Sequence, residues 1–163
     1  MTMKSVNPDD VLIRTATNRD TDRIVALVFK VLSEYGLPAD PESKDADLKD
    51  IEGNYVRAGG VFEVIEDRVG NLLGTYGLYP LSKETCELRK MYFVPEMRGR
   101  GLGRRILERA VDHARRLHYA AIVLETHSVL KEAIHLYTRF GFVPTGLDHV
   151  SERVDRAYKL TLE

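Results

Sequence analysis

The sequence holds little of what would mark a chain for export, for a membrane or for a nucleic acid. A single cysteine, Cys86, stands among 163 residues. One thiol makes no internal disulfide, so a reducing, cytoplasmic setting is expected. No apolar run approaches the roughly 18 residues of a membrane-spanning helix. Met1–Asp10 is polar and lacks the apolar centre of a signal peptide. Neither sign of charge dominates: Lys and Arg total 24, Asp and Glu 25, for a net charge of −1. That balance argues against a chain that coats nucleic acid or an anionic membrane. There is no internal repeat and no low-complexity tract. What is present, 44% hydrophobic and 30% charged residues, suits a globular domain and excludes global disorder. The length suits one domain, read here as residues 1–163 with 1–10 as a flexible N-terminal arm.

Periodicity divides the chain into alternating elements. Val11–Arg14 reads as a first strand. Capping residues across Asn18–Asp22 then open a helix whose apolar face is Ile24, Val25, Leu27, Val28, Val31, Leu32 and Tyr35. Gly36 and Pro38 end it. Asp40–Glu52 is acidic and reads as a loop with a short helix. Val61–Glu66, Leu72–Tyr79 and Cys86–Val94 read as strands of an antiparallel meander. After Gly103 the apolar positions Ile106, Leu107, Ala110, Val111, Ala114 and Leu117 give an amphipathic helix. The apolar run Ala120–Leu124 suits a parallel strand covered on both faces, which completes a right-handed βαβ crossover. A further helical stripe runs from Leu130 to Phe140 and is capped by Gly141. Two last strands are expected near Phe142–Thr145 and Val154–Leu160. The predicted class is α/β: a mixed sheet, antiparallel first and parallel at the crossover, flanked by about four helices.

The most informative stretch is Arg98-Gly99-Arg100-Gly101-Leu102-Gly103, between a strand and the start of a helix. Glycines there permit positive φ and close approach of a ligand. The unpaired amides of a helix's first turn, with the helix dipole, favour an anion such as phosphate. Arg98, Arg100, Arg104 and Arg105 add positive charge suited to bidentate pairing with phosphate. No Gly-Lys-Ser/Thr follows, so this is not a P-loop, and the spacing is a poor dinucleotide fingerprint.

The string Met91–Gly103 resembles motif A of the GCN5-related N-acetyltransferases, with Arg98, Gly101 and Gly103 at its defining positions. Ala133-Ile134-His135-Leu136-Tyr137 followed by Phe140-Gly141-Phe142 resembles the second conserved block of that family. The order of elements is similar over nearly the whole chain. Glu34–Leu37, Cys86–Phe93 and Leu124–Thr126 look similar to a group of small bacterial acetyltransferases. The resemblance implies acetyl-CoA as co-substrate and no metal. The backbone of Gly99, Arg100, Gly101, Leu102, Gly103 and Arg104 would hold the pyrophosphate. Met91, Tyr92 and Phe93 would lie where two strands splay, bonding pantetheine and offering a fixed N–H to the thioester oxygen. One position departs from the pattern. Many members carry Asn seven residues before the conserved Tyr, where this chain has Leu130.

Transfer to an amine requires that the amine lose a proton. An alkyl amine with a pKa near ~10.4 is neutral in about one part in a thousand at pH 7, a cost of roughly 4 kcal/mol. A general base is therefore useful. By resemblance, Tyr137 is the acid that protonates the departing sulfur. Two carboxylates compete as base: Glu87, eleven residues before Arg98, and Glu125, twelve before Tyr137. A water chain without a dedicated base is the third possibility. Strand alternation places Glu87, Arg89, Met91 and Phe93 on one face, which favours Glu87. Cys86 reads as a small core residue rather than a nucleophile. The five histidines show no metal-ligand spacing.

Asp40–Glu52 carries six acids against two lysines, a field able to attract a cationic acceptor. Tyr35, Tyr55, Tyr76 and Tyr79 are candidates to line the acceptor side. A small amine or a peptide end is expected as acceptor, with no nucleic-acid or membrane partner, and a homodimer is expected by resemblance alone. The alternative is a non-catalytic module of the same fold that senses acyl-CoA.

Overall fold

The computed structural model describes residues 7–163. Its strands are β1 (Leu12–Thr15), β2 (Val61–Glu66), β3 (Leu72–Pro80), β4 (Thr85–Phe93), β5 (Ala121–Thr126), β6 (Val143–Pro144) and β7 (Arg156–Thr161). Three α-helices, α1 (Thr21–Glu34), α2 (Leu102–Arg116) and α3 (Lys131–Phe140), cover them. The fourth helical segment is irregular, a 3-10 turn at Ala46–Asp50 followed by a π turn at Glu52–Val56. Of the expected N-terminal arm, residues 1–6 lie outside the described residues. Pro8–Asp10 instead form a 3-10 turn capped by the Asn7 side chain. That turn is tied down by Arg105, which donates to the Pro8 carbonyl at 2.7 Å, and by the Arg68–Asp10 pair at 2.8 Å.

The seven strands form one sheet in the order β1-β2-β3-β4-β5-β7-β6. Among the described residues only β4 and β5 are parallel, joined through α2. Two cores lie on opposite faces. On one, Ile24, Val28 and Leu32 of α1 pack with Leu48, Ile51, Tyr55, Phe62 and Val64. On the other, Leu102, Ile106, Leu107, Ala110 and Val111 of α2 pack with Leu73, Leu78, Cys86, Leu88, Ile122 and Tyr137. Both helices bury residues three and four apart, so the stripe read from the sequence is the buried stripe. Each large side chain so buried contributes about 1.5–3 kcal/mol. α1 stops at Gly36, whose φ of +69° lets the amide of Leu37 reach back to the Leu32 carbonyl at 2.9 Å.

β4 is not regular. Thr75 faces Tyr92 and Gly77 faces Arg89, so Tyr76 on β3 spans both Lys90 and Met91. The extra residue is a β-bulge, and Lys90 sits there at φ +56°. A lysine in that left-handed region costs about 1–2 kcal/mol. The bulge overturns the simple alternation expected for this strand. Met91 and Phe93 pack into the α2 side, whereas Arg89, Lys90 and Tyr92 meet groups of the α1 side. Glu87, bound to Arg89, therefore stands on the face opposite Met91 and Phe93.

Candidate active site

The parallel ladder between β4 and β5 lasts three residues, Thr85–Glu87 beside Ala121–Val123. Beyond it β5 stays with β7, and β4 stays with β3. The edge of β4 from Leu88 to Phe93 is thus left without a strand on that side. The two strands form the walls of a cavity of about 810 Å³ that runs from the glycine loop to the acidic loop.

At one end, Gly99 and Gly101 have φ of +69° and +84°, and a Cβ at either would touch nothing within 4 Å. Backbone conformation, not crowding, requires glycine there. Gly103 is different: a Cβ would stand 3.0 Å from the Leu136 side chain, so the third glycine serves close packing of α2 on α3. Gly101 is the N-cap of α2, no side chain caps the helix, and its first turn carries no acid. The first-turn amides are therefore free to meet an anion. This cradle, the long cleft and the unpaired strand edge fit acetyl-CoA.

The arginines of the loop divide their labour in a way the sequence did not disclose. Arg98 turns inward. Its Nε and Nη2 donate to the Phe93 carbonyl at 3.1 and 2.8 Å, and its Nη1 donates to Glu34 at 2.7 Å. It braces the loop against β4 and α1 and also lines the cavity. Arg105 is engaged with Pro8, and Leu102 is buried in the core. Arg100 reaches the Glu96 carbonyl at 3.4 Å. Arg104 lines the cavity, pairs with Glu108 at 3.2 Å and lies over the Phe140 ring.

Of the other sequence candidates, Tyr137, Glu87 and Glu125 all line the cavity. Tyr137 is buried on α3 against Phe142 and lines the cavity, and its hydroxyl makes no hydrogen bond among the described residues. Burial, with Tyr92 nearby, pushes its phenol well above the usual range, so the proton stays on. Glu87 lines the cavity where β4 leaves β5, and its carboxylate receives Arg89. Arg89 in turn lies over Tyr79, 3.8 Å from the ring centroid. Glu125 stands at the exposed rim, 3.6 Å from Lys44. Leu130 lines the cavity just before α3 and packs toward α1, offering an apolar contact there. Cys86 is fully buried, and burial raises its thiol to about 12, so it has no nucleophilic role. His127 also lines the cavity. Its Nδ1 accepts from the Val129 amide at 3.1 Å, and its Nε2 lies 3.7 Å from Asp155.

Sequence reasoning missed a buried ion network at the acidic loop. Lys90, Arg89 and Arg153 meet Asp45, Asp47 and Glu87, three cations against three carboxylates. Arg153 grips Asp45 with both terminal nitrogens at 2.6 Å. Burial alone would raise the Asp45 pKa. Arg153, the Asp40 amide and Lys90 outweigh it and hold the carboxyl below its usual range. Glu42 pairs with Lys49, while Asp50 and Glu52 hold Asn18 and Arg57. The acidic loop thus spends most of its charge on its own surroundings. Of the four tyrosines considered for the acceptor side, Tyr35 lines the cavity, whereas Tyr55 and Tyr76 are fully buried and donate to Asp47 and Glu63.

Among the described residues, no helix is long and apolar enough to cross a membrane. Among those residues, no group of three or more His, Cys, Asp or Glu is arranged to hold a metal.

Comparison with known proteins agrees with this geometry. The model of the Acetyltransferase (GNAT) family matches residues 25–142. The uncharacterized N-acetyltransferase YjgM of Escherichia coli (strain K12) is 36% identical over 145 residues, 86% of each chain. A GNAT-family acetyltransferase from Staphylococcus aureus Mu50 superposes with a TM-score of 0.87 at 21% identity, covering 94% of this chain and 99% of that one. The acetyltransferase yncA of Salmonella typhimurium, solved with acetyl-CoA, has a TM-score of 0.72 at 25% identity and 94% coverage of both chains. With the splayed strands and the glycine cradle in the places that such a co-substrate needs, the chain belongs to the GNAT family and is an acetyl-CoA-dependent N-acetyltransferase.

Proposed function

We propose that this chain moves an acetyl group directly to the primary amine of a small molecule or a peptide end, with Glu87 as base and Tyr137 as acid. The observation that carries this reading is the placement of both groups in the cleft where β4 parts from β5, one an engaged carboxylate and the other a buried, unpaired phenol.

Acetyl-CoA supplies the acetyl group as an activated thioester. The amides of Gly99–Arg104 hold its pyrophosphate, and the β4 edge at Met91–Phe93 lies along the pantetheine. A fixed N–H of that edge faces the charge that develops on the carbonyl oxygen. Glu87, directly or through one water, takes the proton that the ammonium must lose. Tyr137, neutral at working pH, donates to the departing sulfur and regains a proton from the acceptor nitrogen, which loses its second one as the amide forms. Glu125 at the rim is the weaker base candidate: it is more exposed than Glu87 and stands beside Lys44.

The acceptor brings charge of both signs. Asp45 and Asp47 are buried and paired, and Glu125 faces Lys44, so the mouth presents no net negative field to draw in a polyamine. An amine that carries its own carboxylate, such as an amino acid, suits this balanced surface. The test is thiol release from acetyl-CoA against amino acids, short peptides, polyamines and aminoglycosides. Turnover on one class, lost in Tyr137→Phe with acetyl-CoA binding intact, is the expected result. Full activity in that variant removes Tyr137 from the mechanism.

A further inference from the structure

Lys90 combines two features rarely found in one residue. Its backbone occupies the left-handed region at φ +56° in the middle of β4. Its side chain is 4% exposed, and the ammonium lies 3.1 Å from Asp45 and 3.3 Å from Asp47 while donating to the Lys44 carbonyl at 3.0 Å. Every one of these partners belongs to the acidic loop. The main chain is held at the same point, where the Lys90 carbonyl accepts the Thr75 hydroxyl at 2.7 Å.

A bulge with one residue at positive φ is ordinarily a glycine position, because glycine adopts that conformation without penalty. Glycine here would relieve the backbone but give up the link to the loop. Lysine keeps the link. Asp45 is itself clamped by Arg153, so the ammonium docks against a fixed carboxylate rather than a loose one. The bulge immediately precedes Met91–Phe93, the unpaired edge assigned above to the thioester. Small rotations at Lys90 would re-aim those amides.

We infer that Lys90 is a positioning residue: the hold of Asp45, Asp47 and the Lys44 carbonyl on its ammonium fixes the bulge and thereby aims the β4 edge at the acyl oxygen. The acceptor-side loop and the acyl-polarising strand then move as one unit. This rests on the acetyl-transfer reading above.

Three variants test it: Lys90→Gly, Lys90→Met, and Arg109→Met as a control that breaks the Glu63 ion pair on the far side of the sheet, away from the cleft. Each is assayed for kcat, for acetyl-CoA Kd by calorimetry and for the infrared carbonyl stretch of bound, carbonyl-13C-labelled acetyl-CoA. Lys90→Gly is expected to lower kcat at least tenfold with Kd within twofold of wild type. Its bound carbonyl stretch should return toward the value of free acetyl-CoA. Lys90→Met should behave alike where it folds, and Arg109→Met should keep kcat within twofold. Wild-type kcat and carbonyl stretch in Lys90→Gly would overturn the inference alone, since the bulge would then be set by the backbone. Absence of turnover by the wild type across the amine panel would overturn acetyl transfer and this inference with it.

Discussion

Gly101 offers a way to separate what the fold needs from what the co-substrate needs. Its φ is +84°, and no protein atom lies within 4 Å of a Cβ built there. Gly101→Ala therefore pays only for backbone conformation, about 1–2 kcal/mol. For a chain of 163 residues, the unfolding entropy is about 0.34 kcal/mol/K, so Tm should fall by about 3–6 °C. Gly101→Asn should recover most of that fall, because Asn visits the left-handed region far more readily. Binding should not recover. Any side chain at Gly101 projects beside the first-turn amides of α2, where the pyrophosphate is proposed to lie. Loss of about 1–2 kcal/mol of helix-terminus interaction weakens acetyl-CoA by roughly 5–30-fold. Differential scanning calorimetry and titration calorimetry on the two variants provide the readouts. If Asn destabilises as much as Ala, the backbone account is wrong. If Asn binds acetyl-CoA like wild type, the pyrophosphate lies elsewhere.

Tyr137→Phe should lower kcat by about 10²-fold or more, in the range of lost acid catalysis, with acetyl-CoA Kd unchanged by calorimetry. Glu87→Gln should lower kcat/KM for the acceptor by at least tenfold at pH 7, and Glu125→Gln by less than threefold; the reverse order in the thiol-release assay would transfer the base role to Glu125. In that assay amino acids should outperform spermidine at equal concentration, and a preference for spermidine would contradict the balanced mouth. Stability should be acid-sensitive in a defined direction. Arg14 holds Asp20 below the usual carboxylate range, and arginine partners more than offset the upward push of burial on Asp45, Glu63 and Glu66. Depressed native pKa values give stability that is fully present above about pH 5 and lost as pH falls through about 4 and below. Tm measured from pH 7 to pH 3 should therefore be flat at first and then drop; a flat profile throughout would refute the assignment of those pairs.

The strand and helix order was legible because burial follows periodicity in this chain. Ile106, Leu107, Ala110 and Val111 recur at helical spacing and all face one core. The strand β2 likewise presents Val64 and Ile65 to opposite faces. The glycine loop was legible because conformation and spacing both speak there: two of its glycines do adopt positive φ. The acidic loop's irregular turns were not, since their form depends on partners far along the chain. Arg153 lies 108 residues from Asp45, and no local pattern announces that pairing.

The bulge shows most sharply where periodicity fails as a guide to chemistry. Alternation is a rule about regular backbone, and one inserted residue reverses it for everything beyond. On a straight β4, Glu87 would share a face with Met91 and Phe93. With Lys90 at positive φ, Glu87 and Arg89 instead lie with the acidic loop and Tyr79, while Met91 and Phe93 turn to α2 and α3. The proposal of Glu87 as base therefore rests on a different observation: it stands where β4 and β5 part and is held by Arg89. The residue that makes the difference is a lysine, which no propensity places at positive φ. Its conformation depends on carboxylates at Asp45 and Asp47, more than 40 residues upstream, so only the folded chain explains it.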